Sequence, residues 1–290
     1  MAAFAFPNLD PVAFTLGPVA VRWYGLAYVA GFLLGGLVLS RLNRRWEVGL
    51  TRDQQLDVVL AAVIGLIVGA RLGYVLFYGG ADYIKDPLLI LATWNGGMSF
   101  HGGLVGILLA GWVMSRRLKI PFLRLTDMGA VGAPIGLFLG RVSNFVNGEL
   151  WGRVTTAPWG VVFPSGGPLP RHPSQLYEAF LEGLVLFVVL LVLSRKKRGD
   201  GFMLGTMITL YGIFRIAVEF VREPDIQLGF IAGPFTMGQL LSVPMVAVGV
   251  WLVWRALRTP VVAVEGGTGS ETVEDAGRAE EQRNDEGVED

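Results

Sequence analysis

Four polar side chains stand together directly behind a long apolar run, residues 125–139. They are Arg141, Asn144, Asn147 and Glu149, all within nine residues. An ionisable side chain at bilayer depth costs about 2.5–3.5 kcal/mol or more, so such a residue in a membrane span is a candidate functional residue. The first three follow one another at intervals of three, which places them on one face if the stretch is helical. A helix end that simply meets water is the structural alternative.

A second group of ionisable residues lies at the end of another apolar run, residues 202–221. Arg215, Glu219 and Arg222 are spaced by four and three, so they share one helix face. Guanidinium groups bind phosphate bidentately and stay charged, so arginines in a membrane cavity suggest an anionic ligand with a lipid tail. The structural alternatives are arginines that reach the headgroups and a Glu219 that only neutralises a neighbouring arginine.

The composition limits what such a site can contain. Of 290 residues, 52% are hydrophobic and 17% are charged, with a mean hydropathy of +0.53. A soluble globular chain carries about 25% charged residues, so this chain belongs in a membrane. It has no cysteine, which excludes disulfides, cysteine nucleophiles and thiolate metal sites within the chain. Its two histidines are too few for a typical multi-histidine metal site.

Apolar blocks of about twenty residues predict an all-α polytopic membrane protein with about seven transmembrane helices. Residues 1–259 should form this membrane domain, with a small non-helical head at residues 146–173 that is rich in glycine, proline and tryptophan. Residues 261–290 contain ten acidic and two basic residues, so we expect residues 260–290 to form an acidic, disordered tail. The predicted spans are residues 19–40, 56–78, 99–115, 125–145, 175–193, 202–221 and 235–254.

Positive charge alternates between the connections. The connections after the second, fourth and sixth spans hold four Lys or Arg residues, and the others hold fourteen. The positive-inside rule then places the N-terminus outside the cytoplasm and the C-terminus inside it. No internal repeat is present, which leaves the inverted-repeat architecture of many transporters unsupported. The fourteen residues are Arg41, Arg44, Arg45, Arg52, Arg116, Arg117, Lys119, Arg124, Arg195, Lys196, Lys197, Arg198, Arg255 and Arg258.

This topology places polar residues of four spans at one depth, near the outer membrane surface. Tyr24 lies near the outer end of the first span and His101 in the first turn of the third. The two polar groups described above end the fourth and sixth spans at the same depth. Structural alternatives remain, because Tyr24 beside Trp23 fits an aromatic belt and His101 can bond a backbone carbonyl beside Gly102.

Several segments carry a resemblance to a known family. The stretch from Gly140 to Gly152, GRVSNFVNGELWG, resembles the signature of prolipoprotein diacylglyceryl transferases. The similarity covers the chain from the first predicted span to the last and leaves out the acidic tail. Other matching segments are Trp23-Tyr24-Gly25, residues 99–103 (SFHGG), residues 171–178 (RHPSQLYE), residues 211–225, and Met237-Gly238-Gln239 with Ser242 and Pro244.

The resemblance implies an enzyme of the bacterial cytoplasmic (inner) membrane, with a periplasmic N-terminus and a cytoplasmic C-terminus. Such an enzyme moves the sn-1,2-diacylglyceryl group from phosphatidylglycerol to the lipobox cysteine thiol of a prolipoprotein signal peptide. A thioether forms, and glycerol 1-phosphate is released. The partners expected are this lipid, this peptide and the surrounding membrane lipids; no nucleic acid, metal or organic cofactor is expected.

Roles for the residues follow from that reaction. Arg141 and Arg215 would stabilise the departing phosphate, and His101 would take the thiol proton, with Glu149, Glu219 and Tyr24 as rivals for the base. A transporter or flippase, which also lines a cavity with charges, remains the alternative from another class. The residues expected to bind substrate are Arg141, Asn144, Asn147, Gly152, Arg215 and Arg222.

Overall fold

The computed structural model describes residues 4–7, 9–80, 82–93, 96–224, 230–232 and 235–259. The acidic tail, residues 260–290, lies outside these ranges, so its predicted disorder stays a prediction. Nine α-helices are described: α1 Trp23–Trp46, α2 Arg52–Tyr78, α3 Asp82–Lys85, α4 Phe100–Leu118, α5 Phe122–Val146, α6 Ser174–Glu178, α7 Leu186–Leu193, α8 Phe202–Glu219 and α9 Met237–Arg258.

Irregular helices and short strands complete the architecture. Pro87–Leu91 forms a 3-10 helix, and the π-helical stretch Ala179–Val185 joins α6 to α7 in one continuous helix, Ser174–Leu193. Strand β1 pairs in parallel with β4, while β2 with β3 and β5 with β6 form antiparallel pairs. The strands are β1 Phe4–Ala5, β2 Val12–Leu16, β3 Val19–Arg22, β4 Val161–Val162, β5 Phe230–Ala232 and β6 Phe235–Thr236.

The prediction of an all-α polytopic membrane protein is confirmed. Within the described ranges, six helices are long and apolar enough to cross a membrane: α1, α2, α5, the continuous helix Ser174–Leu193, α8 and α9. Helix α4 is the seventh long helix, and its 19 residues rise about 28 Å, close to the hydrocarbon thickness of about 30 Å. Its polar residues lie at its two ends, with His101 in the first turn and Arg116 and Arg117 in the last.

Two predicted span starts need correction. The first span was predicted from Val19, but Val19–Arg22 pairs as strand β3 with β2, so helix α1 begins only at Trp23. The last span was predicted from Phe235, which lies in β6, and the helix begins at Met237. Thr236 explains this start, because it forms a reciprocal capping box with Gln239.

Glycines set the closest helix pairs. Gly106 of α4 faces the backbone of α2 at Gly65 and Gly69, where an added Cβ atom would collide. Gly132 of α5 likewise contacts Gly35 of α1, and α8 contacts α9 in the same way. Small residues allow membrane helices this close an approach, because no side chain separates the two backbones. All three pairs run antiparallel.

Neighbouring helices run antiparallel, so each end of the bundle collects both helix starts and helix ends. The two ends differ in their charged residues. The first, called the head end, contains the starts of α1, α4, α6 and α9 and the ends of α2, α5 and α8. The second, called the basic end, contains the opposite termini and most of the Lys and Arg residues that alternate along the sequence.

The buried apolar core lies toward the basic end. Trp46 fixes it to the continuous helix, since its indole N–H donates to the carbonyl of Ser194 at 3.0 Å. The side chain of Asn43 closes the turn between α1 and α2 through two bonds to the backbone of Leu50. The core residues are Leu39, Leu42, Trp46, Val48, Leu50, Ile120, Met128, Val131, Leu186, Leu190, Phe202, Met203 and Ala256.

Ionisable residues at the basic end form the basic-end junction, which consists of Arg124, Asp127 and Asp200. The Arg124 Nε donates to Asp200 at 2.8 Å. The two carboxylate oxygens of Asp127 accept the backbone N–H groups of Gly201 and Leu204, each at 2.8 Å. Asp127 thereby serves the first turn of α8, whose N–H groups lack partners within the helix.

Candidate functional site

At the head end, three stretches of chain bring arginines and glutamates into one group. Arg141 comes from α5, and Glu178 and Glu182 come from the helix Ser174–Leu193. The end of α8 and the residues after it supply Arg215, Glu219 and Arg222. We call these six residues the arginine–glutamate cluster.

Glu178 is the centre of the arginine–glutamate cluster. Arg215 Nη1 donates to its Oε1 at 2.5 Å, and Arg141 Nε lies 3.3 Å from its Oε2. Arg222 Nε lies 4.0 Å from Oε1. One carboxylate therefore faces three guanidinium groups that come from different positions in the chain.

The other two glutamates complete the charge balance. Glu219 Oε2 lies 3.0 Å from Arg215 Nη2 and 3.9 Å from Arg222 Nη1, while Glu182 Oε2 lies 3.9 Å from Arg141 Nη2. Three positive and three negative groups give the cluster a formal charge of zero. A bound anion adds charge to a balanced group, so its own contacts with the guanidinium edges must stabilise it.

Burial separates the two kinds of residue. The side chains of Glu178 and Glu182 are 0% exposed, while those of Arg141 and Arg215 are 19% and 12% exposed. The glutamates thus lie beneath the arginines, whose guanidinium edges still reach the surface. A guanidinium has five N–H donors, so arginines held from below retain donors for an anion above.

Several carboxylate oxygens of the cluster have ionic neighbours but no hydrogen bonds. Glu178 Oε2, Glu219 Oε2 and both oxygens of Glu182 accept no hydrogen bond within the described part of the chain. A buried acceptor without a partner costs about 1–3 kcal/mol, and more when it is charged. Close packing of opposite charges at this cost is typical of a site that serves a ligand rather than the fold.

The π-helical stretch Ala179–Val185 begins directly after Glu178 and contains Glu182. Short π-helical segments within α-helices occur frequently at functional sites. Gly183 lies in the same stretch and packs against Phe138 of α5, with no room for a side chain. This contact brings the helix carrying both glutamates close to the helix that carries Arg141.

A second polar group lies at the exit of α5. The amide groups of Asn144 and Asn147 both donate to Glu149 Oε1 at 3.0 Å. Gln175 donates to the backbone carbonyl of Glu149 at 2.6 Å, which ties this turn to the start of α6. Gly148 supports the turn with a φ of +65°, a conformation that glycine adopts without strain.

The segment between α5 and α6 is fastened to the end of α8. Gly152 pairs with Arg222 in a backbone bridge, and its N–H donates to the carbonyl of His172 at 2.8 Å. Arg153 donates to the carbonyls of Arg222 and Glu219. Gly152 packs against the Val221 carbonyl and the His172 backbone, where a side chain would collide. These contacts fix the backbone that carries Arg222.

His172 belongs to this segment rather than to the cluster. Its Nδ1 lies 3.2 Å from the hydroxyl of Tyr177, which accepts the indole N–H of Trp159 at 2.7 Å. Burial lowers the pKa of His172 below its ordinary value. The imidazole is thus held in a hydrogen-bonded row on the head surface.

The structure places the predicted site residues in separate groups. It joins Arg141, Arg215, Glu219 and Arg222 in the arginine–glutamate cluster. A second group contains the predicted residues Asn144, Asn147 and Glu149, and Gly152 lies in the fastened segment.

His101 and Tyr24 stay apart from the cluster. His101 is exposed in the first turn of α4, with its ring edge-on to Phe100 at a centroid distance of 5.6 Å. The Tyr24 hydroxyl lies 3.5 Å from that of Tyr28. No hydrogen bond or ion pair within the described ranges connects either side chain to the cluster.

Sequence reasoning missed Glu178 and Glu182 as site residues. Their signal was present, because two carboxylates spaced by four interrupt an otherwise apolar span. It also missed Arg71, which is buried in α2. The same principle would have found this arginine, since residues 56–78 contain no other charged residue except Asp57 near their start.

Two comparisons with known proteins agree on one family. A family model described as prolipoprotein diacylglyceryl transferase matches residues 11–255. A protein of Geobacter sulfurreducens named phosphatidylglycerol–prolipoprotein diacylglyceryl transferase is 54% identical over 244 residues, covering 84% of this chain and 94% of the relative. Relatives with the same name are 52% identical in Brucella anthropi, over 89% of this chain and 95% of the relative, and in Nitratidesulfovibrio vulgaris, over 85% and 94%.

Proposed function

The chain belongs to the prolipoprotein diacylglyceryl transferase family, and on that premise we propose how its head end carries out the reaction. The chain is a multi-pass membrane transferase that moves the diacylglyceryl group of phosphatidylglycerol to prolipoprotein. The arginine–glutamate cluster binds the phosphate of the lipid. The observation that supports this role is the convergence of Arg141, Arg215 and Arg222 on the buried Glu178.

The reaction is a displacement at the glyceryl carbon that carries the phosphate ester. The lipobox cysteine sulfur attacks this carbon, a C–S bond forms and the C–O bond breaks. The thiol proton passes to a base, and the phosphate leaves as glycerol 1-phosphate. Such a leaving group needs stabilisation of its developing charge more than it needs a proton, and preorganised donors in a low-dielectric site supply that stabilisation.

The buried glutamates hold the guanidinium groups ready for the phosphate. Arg215 has its Nη1 on Glu178 and its Nη2 on Glu219, so its plane is fixed on two sides. Arg141 contacts Glu178 and Glu182, and its own side chain is the most exposed in the cluster. A fixed plane needs no reorganisation when the phosphate arrives.

The headgroup hydroxyls of phosphatidylglycerol bind the second polar group. Glu149 is exposed and can accept hydroxyl donors, and Asn144 and Asn147 orient its carboxylate through Oε1. This group follows Arg141 on the chain by less than three helical turns. The lipid then has its phosphate at the arginines and its free glycerol at Glu149.

His101 is the base in this proposal. The thiol of cysteine has a pKa of about 8.5 and reacts as the thiolate, so a neutral imidazole with a reference pKa of about 6.5 suits the task. Glu219 is engaged by two arginines, and Glu149 accepts two amides through one oxygen. His101, by contrast, is exposed at the head end and makes no hydrogen bond or ion pair within the described ranges.

The head end faces the periplasm in this proposal, and the membrane is the bacterial inner membrane. The basic end then faces the cytoplasm, in agreement with the positive-inside rule. A cysteine tag placed after Asp290 should react with a membrane-impermeant reagent only after cells are opened. Labelling in intact cells would reverse the orientation.

A lipidation assay tests the proposed function. Purified protein, phosphatidylglycerol labelled in its acyl chains and a lipobox peptide should give a labelled peptide, and a peptide with serine in place of the cysteine should stay unlabelled. His101→Ala should slow the transfer by about 10²–10⁴-fold at neutral pH, the usual contribution of a general base. The loss should shrink as the pH approaches about 9.5, because the thiol then ionises without help.

The second histidine provides the matched control. His172→Ala leaves His101 in place. The lipidation rate of this variant should therefore depend on pH in the same way as that of the wild type. A constant ratio between His101→Ala and wild type at all pH values would reject His101 as the base and favour Glu149, Glu219 or Tyr24. Movement of lipid between compartments without a labelled peptide would reject the transferase itself.

A further inference from the structure

Arg71 is a buried cation that the reaction does not use. It lies in α2, is 4% exposed, and donates all five of its N–H groups to backbone carbonyls. Its guanidinium also lies 5.4 Å from the ring centre of Tyr83 and 6.0 Å from that of Tyr74. The five acceptors are the carbonyls of Leu89, Ile90, Ala92, Gly96 and Gly97.

These carbonyls belong to the connection between α2 and α4, which contains the short helix α3 and the 3-10 helix Pro87–Leu91. Arg71 lies seven residues before the end of α2 at Tyr78, which is about 10 Å along the helix axis. The connection must therefore descend beside the helices to reach the guanidinium. Within a bilayer, every backbone carbonyl needs a partner inside the protein, and here one side chain supplies five of them.

The same connection leads directly into the turn that carries His101. After Gly97 the chain reaches Ser99, whose N–H donates to the Ala70 carbonyl of α2 at 2.9 Å. Ser99 then caps α4 by accepting the N–H of Gly102 at 3.2 Å. Gly102 packs against Gly73 of α2 with no space between the backbones. The path from Arg71 to His101 is thus a short series of fixed contacts.

We propose that Arg71 is a positioning residue that fixes the first turn of α4 and thereby holds His101 in its catalytic place. This proposal rests on the proposed function, in which His101 is the base. It also separates Arg71 from the phosphate-binding arginines, because none of its N–H groups is left for a ligand. Its contribution should therefore appear only when His101 is present.

A double-mutant cycle tests the proposal with the lipidation assay in the full-length protein. Arg71→Lys keeps the charge but supplies three donors instead of five, so the connection loses part of its support. It should lower the rate constant by about 10–100-fold with little change in KM, since misplacement of a catalytic group by about 1 Å has effects of this size. In the His101→Ala background, Arg71→Lys should cause less than about a twofold further loss.

Arg124→Lys is the matched control. Arg124 is 2% exposed and paired with Asp200, but it lies at the basic end. This substitution should reduce thermal stability, while the transfer rate per folded molecule should stay close to that of the wild type. Its loss should also be the same with and without His101.

A second variant covers the case in which Arg71→Lys fails to insert. Gly97 has a φ of +78° and packs against the Tyr74 ring, so Gly97→Ala moves an Arg71-bonded carbonyl while the buried charge stays. Gly80→Ala is its control, because Gly80 has a φ of +61° but open space around it. Gly97→Ala should slow transfer in the presence of His101 only, and Gly80→Ala should not.

The outcomes separate the two levels of the proposal. If His101→Ala runs at the wild-type rate, the base assignment fails, and the positioning role fails with it. If His101→Ala is slow but the Arg71 and His101 losses multiply, only the positioning role is overturned. A wild-type rate for Arg71→Lys would overturn it equally.

Discussion

At the basic end, each carboxylate oxygen of Asp127 accepts a backbone N–H at the start of α8, whereas at the head end the two oxygens of Glu182 accept no hydrogen bond within the described ranges. Both residues are buried in membrane helices. The basic-end junction is closed by hydrogen bonds between α5 and the start of α8 with the two residues before it. The arginine–glutamate cluster instead holds its charges together mainly by ionic contacts of up to 4.0 Å.

The difference indicates what each group of charges does. A hydrogen bond to a charged group contributes about 1.5–3 kcal/mol, so the basic-end junction stabilises the fold. The cluster lacks many of these bonds and leaves the guanidinium edges of Arg141 and Arg215 partly exposed. Substitution in the cluster should therefore affect transfer, and substitution in the junction should affect stability.

Among the substitutions that compare the two ends, replacement of the cluster arginines should have the largest effect. Arg141→Lys and Arg215→Lys should each lower the transfer rate by about 10²–10³-fold, a loss of the size seen when one stabilising donor is removed. Lysine keeps the charge but does not replace a planar guanidinium at a bidentate site. The measurement is initial lipidation rate at saturating phosphatidylglycerol, with protein amounts corrected for correct insertion.

Arg117→Lys is the control for that exchange. Its side chain is 70% exposed and only 4.0 Å from Asp57, so neither rate nor stability should change. If Arg141→Lys and Arg215→Lys both transfer at the wild-type rate, the arginines supply only diffuse charge, and the contrast between the two ends disappears.

Replacing Asp127 should test the other half of the comparison. Asp127→Asn leaves one carbonyl oxygen for two N–H groups and turns an amide donor toward one of them, so the first turn of α8 loses one of its two acceptors. We expect a loss of about 1–3 kcal/mol in stability, because a buried N–H group is left without its acceptor. Thermal unfolding in detergent measures this loss.

The transfer rate of the same variant gives the contrast. At a temperature where Asp127→Asn is still folded, its rate should lie within about twofold of the wild type, because Asp127 bonds to the start of α8 at the end of the bundle opposite the cluster. A rate loss comparable to that of Arg141→Lys would mean that the two ends are coupled through α8, which carries both Leu204 and Arg215.

Removing the acidic tail should have the smallest effect. Truncation after Thr259 deletes residues 260–290, which follow α9 at the basic end. The proposed chemistry takes place at the head end, so the lipidation rate should stay within about twofold. A correctly inserted truncated protein that no longer lipidates the peptide would contradict the separation of the ends.

Sequence patterns predicted some parts of this site well, for a physical reason. Arg215, Glu219 and Arg222 share a helix face through their own spacing, so local periodicity was sufficient to group them. The spans were also predictable, because bilayer thickness sets their length. The exceptions were the starts of α1 and α9, where Val19–Arg22 and Phe235–Thr236 pair in strands.

Other parts depended on contacts that spacing does not contain. Glu178 joins Arg141 only because Gly183 lets its helix pack closely on α5. Arg71 meets carbonyls that follow it by 18 to 26 positions, and no periodicity connects them. The predicted grouping of His101 and Tyr24 with the arginines was based on depth alone, and depth does not determine direct contact.

The π-helical stretch Ala179–Val185 keeps the buried positions of its helix aligned along one side. Gln175 and Glu178 before the stretch, Glu182 within it, and Leu186 and Leu190 beyond it are all fully buried. A π-helical turn, with i→i+5 hydrogen bonds, rotates the chain less per residue than an α-helical turn. Residues spaced by four therefore stay on one side of the helix along its length. Deleting one residue there would put the carboxylates and the apolar core out of phase, and no point substitution could restore both.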